Sequence, residues 1–151
     1  MTSAARLDHP TLAPKAYQAL VALHAALEGG SLGTRLLDLV YLRVSQLNGC
    51  AFCIDMHWRD LIAHDEDPRR LNALPGWREA PFFTARERAA LQWAERLTGL
   101  VGRDPHAPED AEFAELRQHF SEVEAAELCY AIAAINAWNR LGVGLRPPIS
   151  A

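Results

Sequence analysis

The chain has 151 residues, half of them hydrophobic, and a formal net charge of −4. That is enough apolar material for one domain whose core needs no metal or disulfide staple. The mild acidity excludes the basic footprint of a nucleic-acid binder, and no apolar run is long and unbroken enough to cross a bilayer.

The opening MTSAARLDHP lacks the charged and apolar regions of a secretory signal, so a cytoplasmic location is expected. No stretch sustains the alternation of a strand, whereas helical spacing recurs. After Pro14, KAYQALVALHAALEGG places Tyr17, Leu20, Val21, His24 and Leu27 on one side of a helix that Gly29-Gly30 ends. A second helix runs from about Thr34 to Leu47, and its Leu36, Leu37, Leu39, Val40, Val44 and Leu47 imply burial on most sides. Asn48-Gly49 interrupts it. A third helix starts near Gly49 or Cys50, with Asn48 as its N-cap, and continues towards His64. Asp67-Pro68 is a turn or a new helix start, and LNALPGWREAPFF reads as a loop packed down by Trp77 and Phe82.

Thr84 and Glu87 have capping-box spacing, which opens a helix over 84–99. GRDPHAPED is a polar connector and PEDAEFAELRQHF a shorter helix. Ser121 and Glu124 form a second capping box, for a last helix that should stop near Leu141, before Gly142; RPPIS follows as a docked tail. The expectation is a single all-α domain over 1–151, a bundle of about six helices with short links.

Chemistry concentrates in NGCAFCIDMHWRD, residues 48–60, which holds two of the three cysteines. On a helix Cys50, Cys53, His57 and His64 share one stripe, with Asp60 at its edge and Asp55 pointing away. Cys53 and His57 stand four residues apart, so their side chains can meet. Thiols in the first turn face unpaired amides and the positive end of the macrodipole, which favours the reactive thiolate. Three readings stay open at this point. The pair is a redox couple closing a disulfide, or part of a zinc site with His57, or two buried core cysteines beside a satisfied histidine. A zinc site lacks the second ligand pair such sites take from a separated place, and haem attachment fails because Ile54 follows Cys53. A thioredoxin-like chain would alternate strands and helices, which this one does not.

LLDLVYLRVSQLNGCAFCIDMHWRDL, residues 36–61, resembles the core motif of the alkylhydroperoxidase D-like, carboxymuconolactone decarboxylase family. RERAALQWAERLT and AINAWNRLGVGLR extend the resemblance over most of the chain. It implies an all-helical protein that assembles into trimers or hexamers. Members with the cysteine pair are thiol-dependent peroxidases or related disulfide reductases, and the decarboxylase branch lacks the pair. By this resemblance Cys53 is the peroxide-attacking thiol, Cys50 the resolving thiol, and His57 the histidine of a proton relay. The family's glutamate, twelve residues before the first cysteine, falls on Asp38, one methylene shorter. Phe52 stands where the best-known enzyme has a histidine. The implied reaction takes a hydroperoxide, needs no cofactor or metal, and is reset by a dithiol or thioredoxin-like reductant. A disulfide reductase, a redox sensor and a non-enzymatic assembly module are the alternatives.

Other residues have plainer readings. Asp38 alone would suit an exposed helix edge or a salt bridge with Arg35 or Arg43. His64 suits the C-terminal end of its helix dipole, and Cys129 a buried small hydrophobe. Trp58, Trp93 and Trp138 suit core or subunit contacts, with Tyr41 and Trp138 able to wall a pocket. Asn136, Asn139 and Arg140 suit hydrogen bonding between helices.

Overall fold

The structure is a computed structural model that describes residues 4–102 and 109–149. Among these residues it contains eight α-helices and no strand: α1 (His9–Leu12), α2 (Pro14–Glu28), α3 (Thr34–Asn48), α4 (Ala51–Ala63), α5 (Pro68–Ala73), α6 (Ala85–Thr98), α7 (Glu109–His119) and α8 (Glu122–Leu145). A 3-10 turn, Leu74–Gly76, follows α5. The all-α expectation holds. The count of about six falls short by two short elements, α1 and α5, each opened by a proline in its first two positions. Four and six residues are too few to show a 3.6-residue apolar period; Asp67-Pro68 signals the start of α5, and no element is expected from the sequence at α1. The connector read at 102–110 lies largely outside the described residues, and its last two residues, Glu109 and Asp110, belong to α7.

The amphipathic spacing of α3 makes it the centre of the bundle, packed against α4, α6 and α8. One core cluster joins Val40, Tyr41 and Val44 of α3 to Ala90 and Ala94 of α6 and to Leu128, Ile132 and Ile135 of α8. Alanines on α6 and α8 let these helices approach closely. The second cluster sets Leu39 and Leu42, on another face of α3, against Leu61, Leu71, Leu74, Trp77 and Phe83. Each fully buried leucine contributes roughly 1.5–3 kcal/mol relative to exposure. Trp77 packs this loop down as expected with Phe82 partly buried against the same cluster, and Phe83 is the more deeply buried of the two phenylalanines. Trp77 Nε1 donates to Glu95 Oε1 at 2.8 Å, which ties this loop to α6.

Both capping boxes form as the spacing predicts, Thr84 with Glu87 and Ser121 with Glu124. Asn48 is not an N-cap. It is the last residue of α3, and its Nδ2 donates to Asn136 Oδ1 at 3.0 Å and Asn139 Oδ1 at 2.9 Å. Asn139 Nδ2 in turn donates to the buried Ser45 Oγ at 2.9 Å. Arg140 Nη1 donates to the Asn136 carbonyl at 2.8 Å. The expected helix–helix hydrogen bonding is present for Asn136 and Asn139, which clamp the end of α3 to α8, whereas the Arg140 bonds stay within α8. Gly49 takes the left-handed conformation (φ 67°) that lets the chain turn into α4.

The last helix does not stop at Leu141 but continues through Gly142 and Gly144 to Leu145. A helical glycine costs about 1 kcal/mol relative to alanine. Packing of α8 against α2, α3, α4 and α6 outweighs that local preference. The N-terminal segment supports the same end: Arg6 N–H donates to Leu145 O at 2.8 Å, and its guanidinium donates to Gly144 O at 3.0 Å.

Candidate active site

The turn at Gly49 delivers Cys50 to the N-cap of α4, where its Sγ accepts from the Cys53 amide at 3.4 Å. Cys50 and Cys53 are joined in a disulfide, with their Cα atoms 5.4 Å apart, inside the span such a bond allows. Both are nearly sealed, at 1% and 3% exposure. The seal over Cys50 is backbone: a Cβ on Gly142 would lie 2.5 Å from Cys50 Sγ and 3.3 Å from Cys53 Sγ. Gly142, which sequence reasoning treated as a helix terminator, is instead the residue that lets α8 lie directly on the sulfurs.

His57 follows Cys53 by one turn of α4 and is buried. Its Nδ1 lies 3.3 Å from Asp38 Oδ1 on α3 and 3.8 Å from Asp60 Oδ2 on its own helix. The predicted partners that would have diverted Asp38 are occupied elsewhere: Arg35 bonds Glu66, and Arg43 bonds Glu95. An ionised carboxylate only accepts, so the tautomer suited to this contact carries its proton on Nδ1. Nε2 is then a free base, and it is buried with no hydrogen-bond partner. Burial and the charge of Asp38 push the Asp60 carboxyl up from its ordinary value, and His57 pulls it back in part.

Tyr41 lies between two histidines, stacked on His24 with ring centroids 5.2 Å apart and tilted against His57 at 5.1 Å. Burial first, then the charges of Asp38 and Glu28, raise its pKa far enough to keep the phenol neutral. Its hydroxyl is buried and unpartnered.

A cavity of about 370 Å³ opens onto this group, walled by Tyr17, His24, Phe52, Cys53, His57 and Trp138 among others. Cys53 is on the wall; Cys50 lies behind it, under Gly142. Pro147 of the C-terminal tail also lines the cavity, so the expected docking of the tail is seen at this residue; Ser150 lies outside the described residues. The structure thus brings together all four expected residues, Asp38, Cys50, Cys53 and His57. His64 ends α4 as its exposed C-cap and is not on the wall. Cys129 is half-buried and accepts from Trp93 Nε1 at 3.3 Å, rather than being a wholly buried hydrophobe. Sequence reasoning gave no role to His24. The signal was present, since His24 lies on the apolar face of the helix after Pro14. Asp38, His57 and Asp60 place one donor atom each within 4.8 Å of one another, a set that can ligate a metal as well as move a proton.

Residues 14–96 match the Carboxymuconolactone decarboxylase family. The uncharacterized protein YdfG of Bacillus subtilis is 31% identical over 140 residues, 93% of either chain. A crystal structure from Agrobacterium tumefaciens superposes with a TM-score of 0.89 at 37% identity, covering 97% of this chain and 99% of that one. That protein is described as of unknown function, with a provisional assignment as the antioxidant defence protein AhpD. An uncharacterized peroxidase-related protein with an alkylhydroperoxidase AhpD core, from Ralstonia eutropha, shares the fold at a TM-score of 0.76 and 24% identity, over 91% of this chain and 73% of that one. With its cysteine pair bonded beside a buried histidine in an all-helical frame, the chain belongs to the carboxymuconolactone decarboxylase family.

Proposed function

We propose that the protein is a thiol-dependent peroxidase that reduces hydroperoxides through a Cys50–Cys53 disulfide cycle. The observation that carries this reading is the position of Cys53. One sulfur of a closed disulfide lines an apolar cavity beside a histidine whose far nitrogen faces a carboxylate.

In the reduced protein, His57 Nε2 accepts the Cys53 thiol proton, and Asp38 holds the resulting imidazolium. The thiolate attacks the terminal oxygen of the hydroperoxide. The O–O bond breaks, Cys53 becomes a sulfenic acid, and the alkoxide leaves as the alcohol once protonated. The Cys50 thiol then attacks the Cys53 sulfur and water departs, giving the disulfide. A dithiol, small or thioredoxin-like, reduces that disulfide and resets the pair. The reductant meets Cys50 first by analogy with the family, which requires the end of α8 over that sulfur to yield. We place this cycle in the cytoplasm, where dithiol reductants are available, and in a homo-oligomer, a trimer or hexamer. Val123 and Tyr130, each 62% exposed on α8, are apolar residues that a second copy would cover.

The test is mass spectrometry after one equivalent of an organic hydroperoxide. Reduced wild type should form the internal disulfide, and Cys50→Ser should trap a sulfenic acid at Cys53. Absence of both would remove the peroxidase reading.

A redox sensor or disulfide reductase with little peroxidase turnover is the second reading. It draws on Phe52 in place of a histidine and on the near-complete burial of Cys50, which slows re-reduction. Comparing steady peroxide consumption with dithiol–disulfide exchange separates the two.

A further inference from the structure

The proposed chemistry needs two proton movements of opposite sense, one off the Cys53 thiol and one onto the departing alkoxide. His57 suits the first, because its Nε2 is a free base. In-line attack places the leaving oxygen beyond the attacked one as seen from Cys53, so a group elsewhere on the cavity can supply the second proton. The cavity has another histidine. His24 on α2 lines the same cavity as Cys53, and its Nε2 lies 3.3 Å from Glu28 Oε1, one helical turn on. Its Nδ1 has no hydrogen-bond partner among the described residues. His24 and Glu28 thus form a histidine–carboxylate ion-pair contact on α2, without the hydrogen bond that joins His57 to Asp38. Tyr41 separates the two dyads as a single neutral ring in contact with both imidazoles. His9 is also on the wall, but its neighbour is the edge of Tyr17 and not a carboxylate.

We infer that His24, with the Glu28 carboxylate beside it, is a second catalytic acid that protonates the alkoxide leaving group. This rests on the peroxidase reading. In the imidazolium form the positive ring lies beside the Glu28 carboxylate, and Nδ1–H is free to donate. As the thiolate sulfur bonds the terminal peroxide oxygen and the O–O bond breaks, the inner oxygen takes the Nδ1 proton and leaves as the alcohol. His57 has gained one proton and His24 has lost one, so the oxidation step is proton-neutral. Solvent in the cavity can return the proton from one histidine to the other. Attack of the Cys50 thiol on the sulfenic acid releases water made from its own proton and the sulfenic hydroxyl. The inference also gives Phe52 a meaning: with no histidine between the cysteines, α2 supplies the acid from across the cavity. The apolar walls fit the same role, since an alkyl hydroperoxide leaves a strongly basic alkoxide that departs slowly unless protonated.

The test compares two oxidants and one alkylating agent on the reduced protein, in wild type, His24→Gln and Glu28→Gln. Peracetic acid leaves as a weakly basic carboxylate that needs no proton, tert-butyl hydroperoxide as a strongly basic alkoxide, and iodoacetamide reports Cys53 deprotonation alone. His24→Gln should slow oxidation by tert-butyl hydroperoxide about 10²-fold, slow peracetic acid by less than about 3-fold, and leave iodoacetamide alkylation unchanged. Glu28 is half exposed at 53%, so Glu28→Gln leaves the fold intact and should show the same selectivity with a smaller loss. Equal slowing with both oxidants, or none with either, would overturn the role of His24 while leaving the peroxidase reading standing. A wild-type protein that neither oxidant converts to the disulfide would overturn both.

Discussion

Asp38 on α3 and His57 on α4 meet across the interface of the two helices, Oδ1 to Nδ1 at 3.3 Å, while the arginines nearest in sequence are engaged elsewhere. The contact fixes which imidazole nitrogen is free to act as base. Asp38→Asn keeps the size of the side chain and removes the charge that stabilises the imidazolium. Both iodoacetamide alkylation and hydroperoxide oxidation of Cys53 should then slow by roughly 10²-fold. Asp60, 3.8 Å from the same nitrogen, is a weaker second partner, so Asp60→Asn should cost less and the double variant more than either. Unchanged second-order rates in Asp38→Asn would take Asp38 out of the mechanism.

Gly142 bears on the oxidised state more than on the reduced one. An added Cβ would lie 2.5 Å from Cys50 Sγ, and a sulfur held in a disulfide cannot swing aside. A free thiol can rotate about its Cα–Cβ bond. Gly142→Ala should therefore destabilise the oxidised protein by about 1–3 kcal/mol through overpacking. The reduced protein should lose less, because the free thiol moves away from the added methyl and the helix preference of alanine, about 1 kcal/mol, is then unopposed. Thermal unfolding with and without a dithiol measures the difference, and an oxidised form that gains stability would contradict the close approach of α8 to the sulfurs.

The long helices were legible because their apolar period and their caps are local properties. Thr84, Glu87, Ser121 and Glu124 mark two helix starts within a few residues, and both appear where expected. The cysteine motif was legible for the same reason, since Cys53 and His57 are neighbours on one helix. Residues brought in by packing were less visible. Asn48 looks like an N-cap in sequence, but hydrogen bonds to Asn136 and Asn139, 88 and 91 residues away, make it the end of α3 instead. Gly142 looks like a stop signal, and only the approach of α8 to α4 shows why a side chain is missing there. His24 belongs to the cavity only through the seating of α2 against α8, which no local pattern reports.

The buried amide network should be as sensitive as a core leucine. Asn139 is 1% exposed and joins Ser45 to Asn48. Asn139→Ala leaves the Ser45 hydroxyl and one Asn48 donor bond without their partner, at about 1–3 kcal/mol for the unsatisfied polar groups. Because Asn48 precedes the Gly49 turn, the loosened turn should also let the Cys50–Cys53 disulfide be reduced faster. Urea unfolding checks the first effect and the rate of dithiol reduction the second. A stability loss with no change in reduction rate would show that the network supports the bundle but not the site.

Acid stability follows from carboxylates held by arginines and by helix starts. Hydrogen bonding from Arg86, and then from the Ser121 amide in the capping box, lowers the Glu124 pKa from 4.5 to about 2. Burial alone would raise Glu95, but hydrogen bonds from Trp77, Arg78 and Arg43 prevail and lower it. A carboxyl with a depressed folded pKa stabilises the fold above its unfolded value, and that contribution is lost as pH falls through the folded value. For Glu124 the loss therefore runs from about pH 4.5 down to about 2. The urea midpoint should fall steadily over this window, and Glu124→Gln should flatten part of the slope while lowering the midpoint at neutral pH. Asp60 works in the opposite sense. Its raised pKa makes the ionised form unfavourable in the fold, so Asp60→Asn should raise the midpoint slightly at pH 7 and leave it unchanged at low pH. A Glu124→Gln profile parallel to wild type from neutral pH to pH 2 would assign acid sensitivity to other groups.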